Sequence, residues 1–276
     1  MNPYLPYEAE IMERHQETDT VFTLHLRLTD PEMGRSYQFQ PGQFNMLYLF
    51  GVGEVPISIS SDPQEPHLLG HTIRSVGRVT EGMAKLAVGD RIGIRGPYGR
   101  GWPLKAAEGK DVIIVTGGLG CAPVVSVINY IMKRRDRYGK LTIIQGVKHP
   151  RDMIYREQYD AWAKIPDTRV FLSASSGEAL WPWHVGSVID LFSEVKFDSA
   201  VSVSMMCGPE GMMIAAIRLL LERGMPEHSI YMSMERNMQC AIGHCGHCQY
   251  GGKFICKNGP VFAYPDVKEL LGIKGF

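Results

Sequence analysis

Val112-Ile113-Ile114-Val115-Thr116-Gly117-Gly118-Leu119-Gly120-Cys121-Ala122-Pro123 is the stretch on which the architecture turns. Four consecutive apolar residues, 112–115, read as a strand buried on both faces, the kind found in parallel sheets. Three glycines follow within four positions. Val124, Val125, Ile128, Ile131 and Met132 then share one helical stripe, with Gly139 as its stop. A glycine-rich turn between a buried strand and a helix lets an anion such as a pyrophosphate approach the free N–H groups of the helix start. Many such turns merely join elements, so the meaning depends on what surrounds this one.

Downstream, Leu141-Thr142-Ile143-Ile144, Val170-Phe171-Leu172 and Val201-Ser202-Val203-Ser204-Met205 read as further strands, with helices beginning near Ser187 and Gly211. That alternation predicts a doubly wound α/β sheet. A second turn, Cys207-Gly208-Pro209-Glu210-Gly211-Met212, follows a later strand. Two such turns at strand carboxyl ends mark a ligand crevice. The plain alternative for Cys121 and Cys207 is that they are small buried residues. At the end of the second strand, where a dinucleotide site commonly has an acidic residue, stands Gly146-Val147-Lys148-His149. The choice between NAD and NADP therefore stays open, and Lys148 or Arg151 could serve a phosphate.

Upstream, the first hundred residues have a different rhythm. Val21–Leu28 alternates, and Met46–Phe50 and Val55–Ile59 are short apolar runs. Turn signals divide them at Pro41-Gly42, Gly51-Val52-Gly53, Gly89-Asp90 and Gly96-Pro97. The spacing predicts a small antiparallel barrel or sandwich. One helix interrupts it, Thr80 to Leu86, with Thr80 as its N-cap.

The last forty residues fit neither pattern. They contain Cys240-x4-Cys245-x2-Cys248-x7-Cys256, with glycines at 243, 246, 251 and 252. Soft thiolates suit iron and bridging sulfide, and the first two spacings match the plant-type [2Fe–2S] loop, whereas the fourth cysteine is much closer than in ferredoxins. The glycines permit positive φ, which aims backbone N–H groups at the sulfurs. A four-cysteine zinc site is the alternative, although zinc ribbons usually show two C-x2-C pairs. His244 and His247 are surplus to a four-cysteine set and read as exposed loop residues. A segment so poor in apolar runs points to a metal centre as its organiser.

Bulk properties narrow the class. The chain has 276 residues, enough for two domains and an appendage, with 45% hydrophobic and 21% charged residues. Lys+Arg and Asp+Glu both total 29, which argues against nucleic acid or an anionic membrane as partner. No apolar run reaches the roughly 20 residues that span a bilayer. The opening MNPYLPYEAEIMERH lacks a Sec-type pattern, so a cytoplasmic, reducing setting is expected, in which clustered thiols bind metal.

Taken in order, these residues resemble the ferredoxin–NADP reductase superfamily, in the branch with a C-terminal [2Fe–2S] domain. That branch includes the electron-transfer subunits of dihydroorotate dehydrogenase B and of anaerobic sulfite reductase, and the gamma (diaphorase) subunit of cytoplasmic NiFe hydrogenases. The likeness rests on Pro41-Gly42-Gln43-Phe44, Pro56-Ile57-Ser58-Ile59-Ser60, Gly96-Pro97-Tyr98-Gly99, Gly117-Gly118-x-Gly120-x-Ala122-Pro123, Cys207-Gly208-Pro209 and the cysteine loop. It implies a flavin-binding β-barrel over residues 1–104, an NAD(P)-binding α/β domain over 105–236 and a cluster-binding segment over 237–276.

Carried over by position, Pro56, Ile57 and Ser58 would face the flavin ring, and Ile73, Arg74 and Ser75 would line the next strand. Val79 and Thr80 would hold the flavin phosphates. Gly117, Gly118 and Gly120 would cradle the dinucleotide, and Cys207, Gly208 and Pro209 would face its nicotinamide. Cys240, Cys245, Cys248 and Cys256 would ligate the cluster. The family's flavin-binding arginine is replaced by Val55, which removes a bidentate anion contact. FAD is the implied flavin, FMN the alternative, and Arg74 or Arg78 the candidate replacement cation. The resemblance implies electron flow between NAD(P)H, flavin and cluster, to or from other redox subunits of hydrogenase or sulfite reductase type. Hydride transfer requires no acid–base side chain, so no catalytic residue is assigned. Two other readings remain: a free-standing flavin or ferredoxin reductase, and a zinc-containing binding module.

Overall fold

The computed structural model describes residues 4–65, 67–177 and 181–273. Its first sheet contains β1 (Tyr7–Gln16), β2 (Val21–Leu28), β3 (Phe44–Leu49), β4 (Gly53–Ser58), β5 (Leu69–Arg74) and β6 (Arg91–Tyr98). The strands pair antiparallel in the order β4-β3-β6-β1-β2-β5. The two edge strands, β4 and β5, come into contact, so the sheet curls into a barrel. Two-residue periodicity decides its faces. Phe22, Leu24, Leu26 and Leu28 of β2 enter the barrel core with Ile92 and Ile94 of β6. Thr23 and His25 point the other way and line an outer cavity.

One polar chain is threaded through this interior. Tyr37 donates to Asn45 at 2.5 Å, Asn45 Nδ2 lies 3.1 Å from His71 Nε2, and His71 Nδ1 lies 3.1 Å from the Leu69 carbonyl. Burial pushes the His71 imidazolium down to about 3, so the ring is neutral and can donate from Nδ1 while accepting at Nε2.

Helix α1 (Pro31–Ser36) is capped by Asp30. Helix α2 (Arg78–Met83) begins two residues before the position expected from sequence. Thr80 is therefore not the N-cap. It is the third helical residue, and its hydroxyl accepts from the Val76 and Gly77 N–H groups, both at 3.1 Å. That back-reach satisfies the N–H of Gly77, the actual cap, and the N–H just before it.

A short helix α3 (Leu104–Ala107) leads into the second sheet. It is built from β7 (Asp111–Gly117), β8 (Leu141–Val147), β9 (Thr168–Ala174), β10 (His184–Val185), β11 (Ser202–Cys207) and β12 (Ile230–Ser233). Helices α4 (Ala122–Met132), α5 (Arg156–Trp162) and α6 (Glu210–Glu222) alternate with these strands. The order β10-β9-β8-β7-β11-β12 is parallel throughout, the doubly wound pattern.

Two expected helix features differ. Helix α4 ends at Met132, not at Gly139, and a 3-10 turn at Arg135–Arg137 follows. Gly139 is needed for a different reason, because a Cβ there would strike Asp111 Oδ1. Near Ser187 there is only a 3-10 turn, Asp190–Ser193. Its start is held by Asp190, whose carboxylate accepts from the Ser187 N–H at 2.7 Å.

The C-terminal segment supplies a ribbon of β13 (Gln249–Tyr250) and β14 (Lys253–Phe254), helix α7 (Ile255–Asn258) and β15 (Val261–Ala263). Strand β15 pairs antiparallel with β12 and becomes the last strand of the second sheet. Ala241, Cys248, Tyr250, Ile255 and Cys256 share a core with Met213, Ile217 and Leu220 of α6. Part of this segment's order thus comes from the neighbouring α/β core, in addition to any metal centre.

Candidate functional site

The switch point of the parallel sheet lies between β7 and β11, where the strand order reverses. Crevices at the carboxyl ends of such strands receive ligands. Both glycine turns meet here. A Cβ on Gly120 would collide with the Cys207 carbonyl, and one on Gly117 would lie 2.5 Å from Met212 Sδ. Gly118 has φ +56°. These glycines bring two turns together and leave a notch lined by Gly117, Gly120, Cys207, Gly208 and Pro209.

That notch, a cavity of about 520 Å³, adjoins a second of about 460 Å³ on the barrel. Arg74, Val76, Leu119 and Ser233 through Arg236 wall both, so they form one cleft from barrel to switch point. Its barrel half is lined by Val55, Pro56, Ile57, Ser58, Thr72, Arg74 and Thr80. Residues 72 and 74 face the cleft, and strand alternation turns the Ile73 side chain into the barrel core. Ile73 can therefore meet a ligand only through its backbone. Val79 packs against that core from outside, 3.3 Å from where a Gly53 Cβ would be, and Ser75 is half-buried. Gly118 opens the 3-10 turn after β7 and lines neither half.

The missing arginine at Val55 is partly answered by geometry. Arg74 lines the cleft, whereas Arg78 donates to the Val52 carbonyl at 3.0 Å and does not. A second cleft guanidinium, Arg236, stacks over Tyr250 with 5.3 Å to the ring centroid. Two cations on one cleft suit an anionic, dinucleotide-like ligand.

Two titratable groups close the switch-point end of the cleft. Burial pushes the Cys207 thiol well up, with Ser233 hydrogen bonding opposing, so it remains an S–H group. Glu235 is exposed to the open cleft, yet protein surrounds it on enough sides that desolvation raises its carboxyl.

The back wall of the cleft runs straight into the cysteine loop. Met238 lines the barrel half, and Cys240 is two residues further on, at most about 7 Å along the chain. Arg95 fastens this junction. Almost fully buried, it holds Glu54 with two hydrogen bonds of 2.8 and 2.7 Å and donates to Tyr98 at 3.0 Å. It also reaches the carbonyls of Gln239 at 3.3 Å and Cys240 at 3.5 Å.

The four sulfurs fall into two close pairs, Cys240 with Cys245 and Cys248 with Cys256. Backbone N–H groups of His244 and Cys245 point at Cys240 Sγ, 3.2 and 3.4 Å away, and that of Gly243 at Cys256 Sγ, 3.1 Å. Positive φ at Ala241 (+62°), Gly243 (+73°) and Gly246 (+77°) turns the loop inward. Burial opposes ionisation of Cys240, but the surrounding N–H donors outweigh it and bring the thiol down to about 6.

A tetrahedral zinc with bonds of about 2.3 Å would gather all four sulfurs within roughly 4 Å of one another. The only trio of candidate ligand atoms within 4.8 Å among the described residues is Glu13, His15 and His25, so no three of the sulfurs approach so closely. Two pairs set apart suit two metals. His244 and His247 are exposed.

Comparison with known proteins agrees with this layout. Residues 114–218 match the oxidoreductase NAD-binding domain family, and residues 235–268 match the iron–sulfur cluster binding domain of dihydroorotate dehydrogenase B. The chain is 38% identical to sulfhydrogenase 2 subunit gamma of Pyrococcus furiosus, over 99% of this chain and 100% of the relative. It is 34% identical to sulfhydrogenase 1 subunit gamma of the same organism (99% and 95%). It is 32% identical to a probable dihydroorotate dehydrogenase B (NAD(+)) electron transfer subunit of Methanocella arvoryzae (93% and 90%). Among solved structures, the NADH-dependent reduced ferredoxin-NADP oxidoreductase superposes with a TM-score of 0.74 at 23% identity, covering 95% of this chain and 91% of that one. The FAD- and NADP-bound ferredoxin NADP+ reductase of Neisseria gonorrhoeae superposes at 0.70 and 22% identity (82% and 96%).

Sequence reasoning missed the wall from Ser233 to Met238 and the clamp at Arg95. The first had a usable signal, since residues just past the carboxyl end of a parallel strand belong to the crevice. The second had none, because Arg95 and Glu54 are 41 positions apart.

Proposed function

Because the chain belongs to the iron–sulfur electron-transfer subunit family that includes the sulfhydrogenase gamma and dihydroorotate dehydrogenase B electron-transfer subunits, we propose that it links a nicotinamide dinucleotide to a hydrogenase-type partner. The cleft and the cysteine loop would hold FAD and a [2Fe–2S] cluster between these two ends. The observation that supports this best is the single cleft whose back wall leads into Cys240.

Bound in that cleft, a flavin supplies the conversion between paired electrons delivered as hydride and the single electrons an iron–sulfur centre exchanges. The chain's own residues arrange the meeting. Pro56, Ile57 and Ser58 of β4 offer a flat, half-buried edge for the flavin ring. Arg74 and Arg236 would hold its pyrophosphate in place of the lost arginine, with Thr80 and Val79 at the start of α2. Gly117, Gly118 and Gly120 admit the dinucleotide backbone to the end of β7. Cys207, Gly208 and Pro209 border the nicotinamide, and the protonated Cys207 thiol adds bulk without charge. Cys240, Cys245, Cys248 and Cys256 hold the cluster in two pairs.

We assign residues 1–104 to the flavin barrel, 105–236 to the dinucleotide domain and 237–276 to the cluster segment, which lends β15 to the sheet. Cys245 is exposed, so the cluster has a side open to another protein. No helix among the described residues is long and apolar enough to cross a membrane.

The test is turnover by the isolated chain under anaerobic conditions. It should oxidise NAD(P)H with an artificial one-electron acceptor and should co-purify from its native source with a hydrogenase-type subunit. Reduction of protons, sulfite or orotate by the chain alone would overturn the proposal.

A further inference from the structure

A third cavity, of about 780 Å³, is roomier than either half of the cleft and lies between the outer face of β1 and β2 and the helices α4 and α5. On its barrel wall stand Glu13, His15 and His25. Glu13 and His25 are directly paired across β1 and β2, and His15 follows Glu13 by two positions, so all three side chains leave the same sheet face. Glu13 Oε2 lies 3.4 Å from His15 Nε2 and 3.5 Å from His25 Nδ1, and all three atoms lie within 4.8 Å of one another.

We propose that Glu13, His15 and His25 form a binding site for a divalent transition-metal ion, with zinc as the expected occupant. Donor separations of 3.4 and 3.5 Å are close to the roughly 3.3 Å edge that bonds of about 2.0 Å impose on a tetrahedron. The donor set, two imidazoles and one carboxylate, suits zinc, nickel or copper and disfavours magnesium and calcium.

Two further observations point to a cation. His25 Nδ1 is shielded from solvent and has no hydrogen-bond partner, so a lone pair or proton is left unmet at the point facing Glu13. The other carboxylates of this cavity's barrel side are already engaged. Glu17 accepts from Thr23 at 2.7 Å and from the Tyr155 N–H at 3.2 Å, while Asp62 and Glu65 pair with Lys133. Among the described residues, Glu13 meets only the two histidines.

Three protein ligands leave the fourth position of a tetrahedral ion to the cavity, where water or a small anion would complete it. The site is carried by the rigid β1–β2 pair and stands apart from the cysteine loop, so it is independent of the electron-transfer reading.

The test uses the cluster-containing protein, with iron and sulfide measured before and after. Dialysed against Zn2+, the wild type should take up one equivalent beyond any that displaces iron. Its zinc absorption fine structure should show only nitrogen and oxygen neighbours at about 2.0–2.1 Å and no sulfur at about 2.3 Å. His15→Ala and Glu13→Gln, both on exposed side chains, should each weaken uptake at least about tenfold, with cluster content and NAD(P)H oxidation unchanged. Zinc bound through sulfur, or uptake equal in wild type and both variants, would overturn the proposal.

Discussion

Replacing Arg95 with methionine should loosen the cluster while sparing the flavin. The methionine fills a similar volume but leaves acceptors behind, among them the Glu54 carboxylate, the Tyr98 hydroxyl and the carbonyls of Gln239 and Cys240. Breaking a buried ion pair from one side costs about 3–5 kcal/mol. Glu54 keeps 27% of its side-chain surface, which puts the loss near the lower end, about 3 kcal/mol. Because the lost contacts include the two carbonyls at the head of the cysteine loop, most of that loss should fall on loop opening, a factor of roughly 100 in the open population.

Bleaching of the cluster absorbance by an iron chelator reads that population. Arg95→Met should bleach up to about 100-fold faster than wild type, with flavin content retained. Adding Glu54→Gln to it should recover part of the loss, since the stranded carboxylate is then gone. Bleaching at the wild-type rate in Arg95→Met, or no recovery in the double variant, would refute the view that Arg95 clamps the loop.

Gly120→Ala should destabilise the protein by about 2–3 kcal/mol, because the added methyl meets the unyielding Cys207 carbonyl; a denaturation midpoint within error of wild type would contradict this. Glu235 has a raised carboxyl, so the folded state holds its proton to higher pH than the unfolded chain does. Its penalty is absent below the ordinary carboxylate range, grows as pH rises through the raised value and is constant above it. Stability should fall with pH across that window in wild type and lose this component in Glu235→Gln, as followed by midpoints from pH 4 to 8. Cys245→Ser should lose or alter the cluster signal while NAD(P)H still bleaches the flavin, because this exposed ligand lines neither half of the cleft; loss of flavin reduction would count against a separate flavin site.

The sequence shows most clearly what periodicity and spacing encode. The run at 112–115 and the alternation at 21–28 announce their strands because core burial sets their patterns. Strand β1 is harder to read, since only Ala9 and Ile11 of it reach the core and the rest of Tyr7–Gln16 is polar or half-exposed. The cysteine loop is legible from its spacing. Its attachment to the α/β sheet through β15 is not, because three residues, Val261–Ala263, carry no period of their own and become a strand only by pairing with β12. Thr80 illustrates a local error. Threonine is a common N-cap, but here it is the third helical residue and its hydroxyl accepts instead from the N–H groups of the cap, Gly77, and of Val76. Ile73 shows the limit of transferring a motif by position, since the strand's alternation, not the motif, decides which side chains face the cleft.

The central claim is that NAD(P)H electrons reach a two-iron centre held by Cys240, Cys245, Cys248 and Cys256. Anaerobic protein titrated with NAD(P)H alone, followed by electron paramagnetic resonance and by iron, sulfide and zinc analysis, tests it most directly. The account predicts two irons and two sulfides per chain and a rhombic signal that NAD(P)H itself develops. Zinc in place of iron, or a signal that appears only with dithionite, would contradict it.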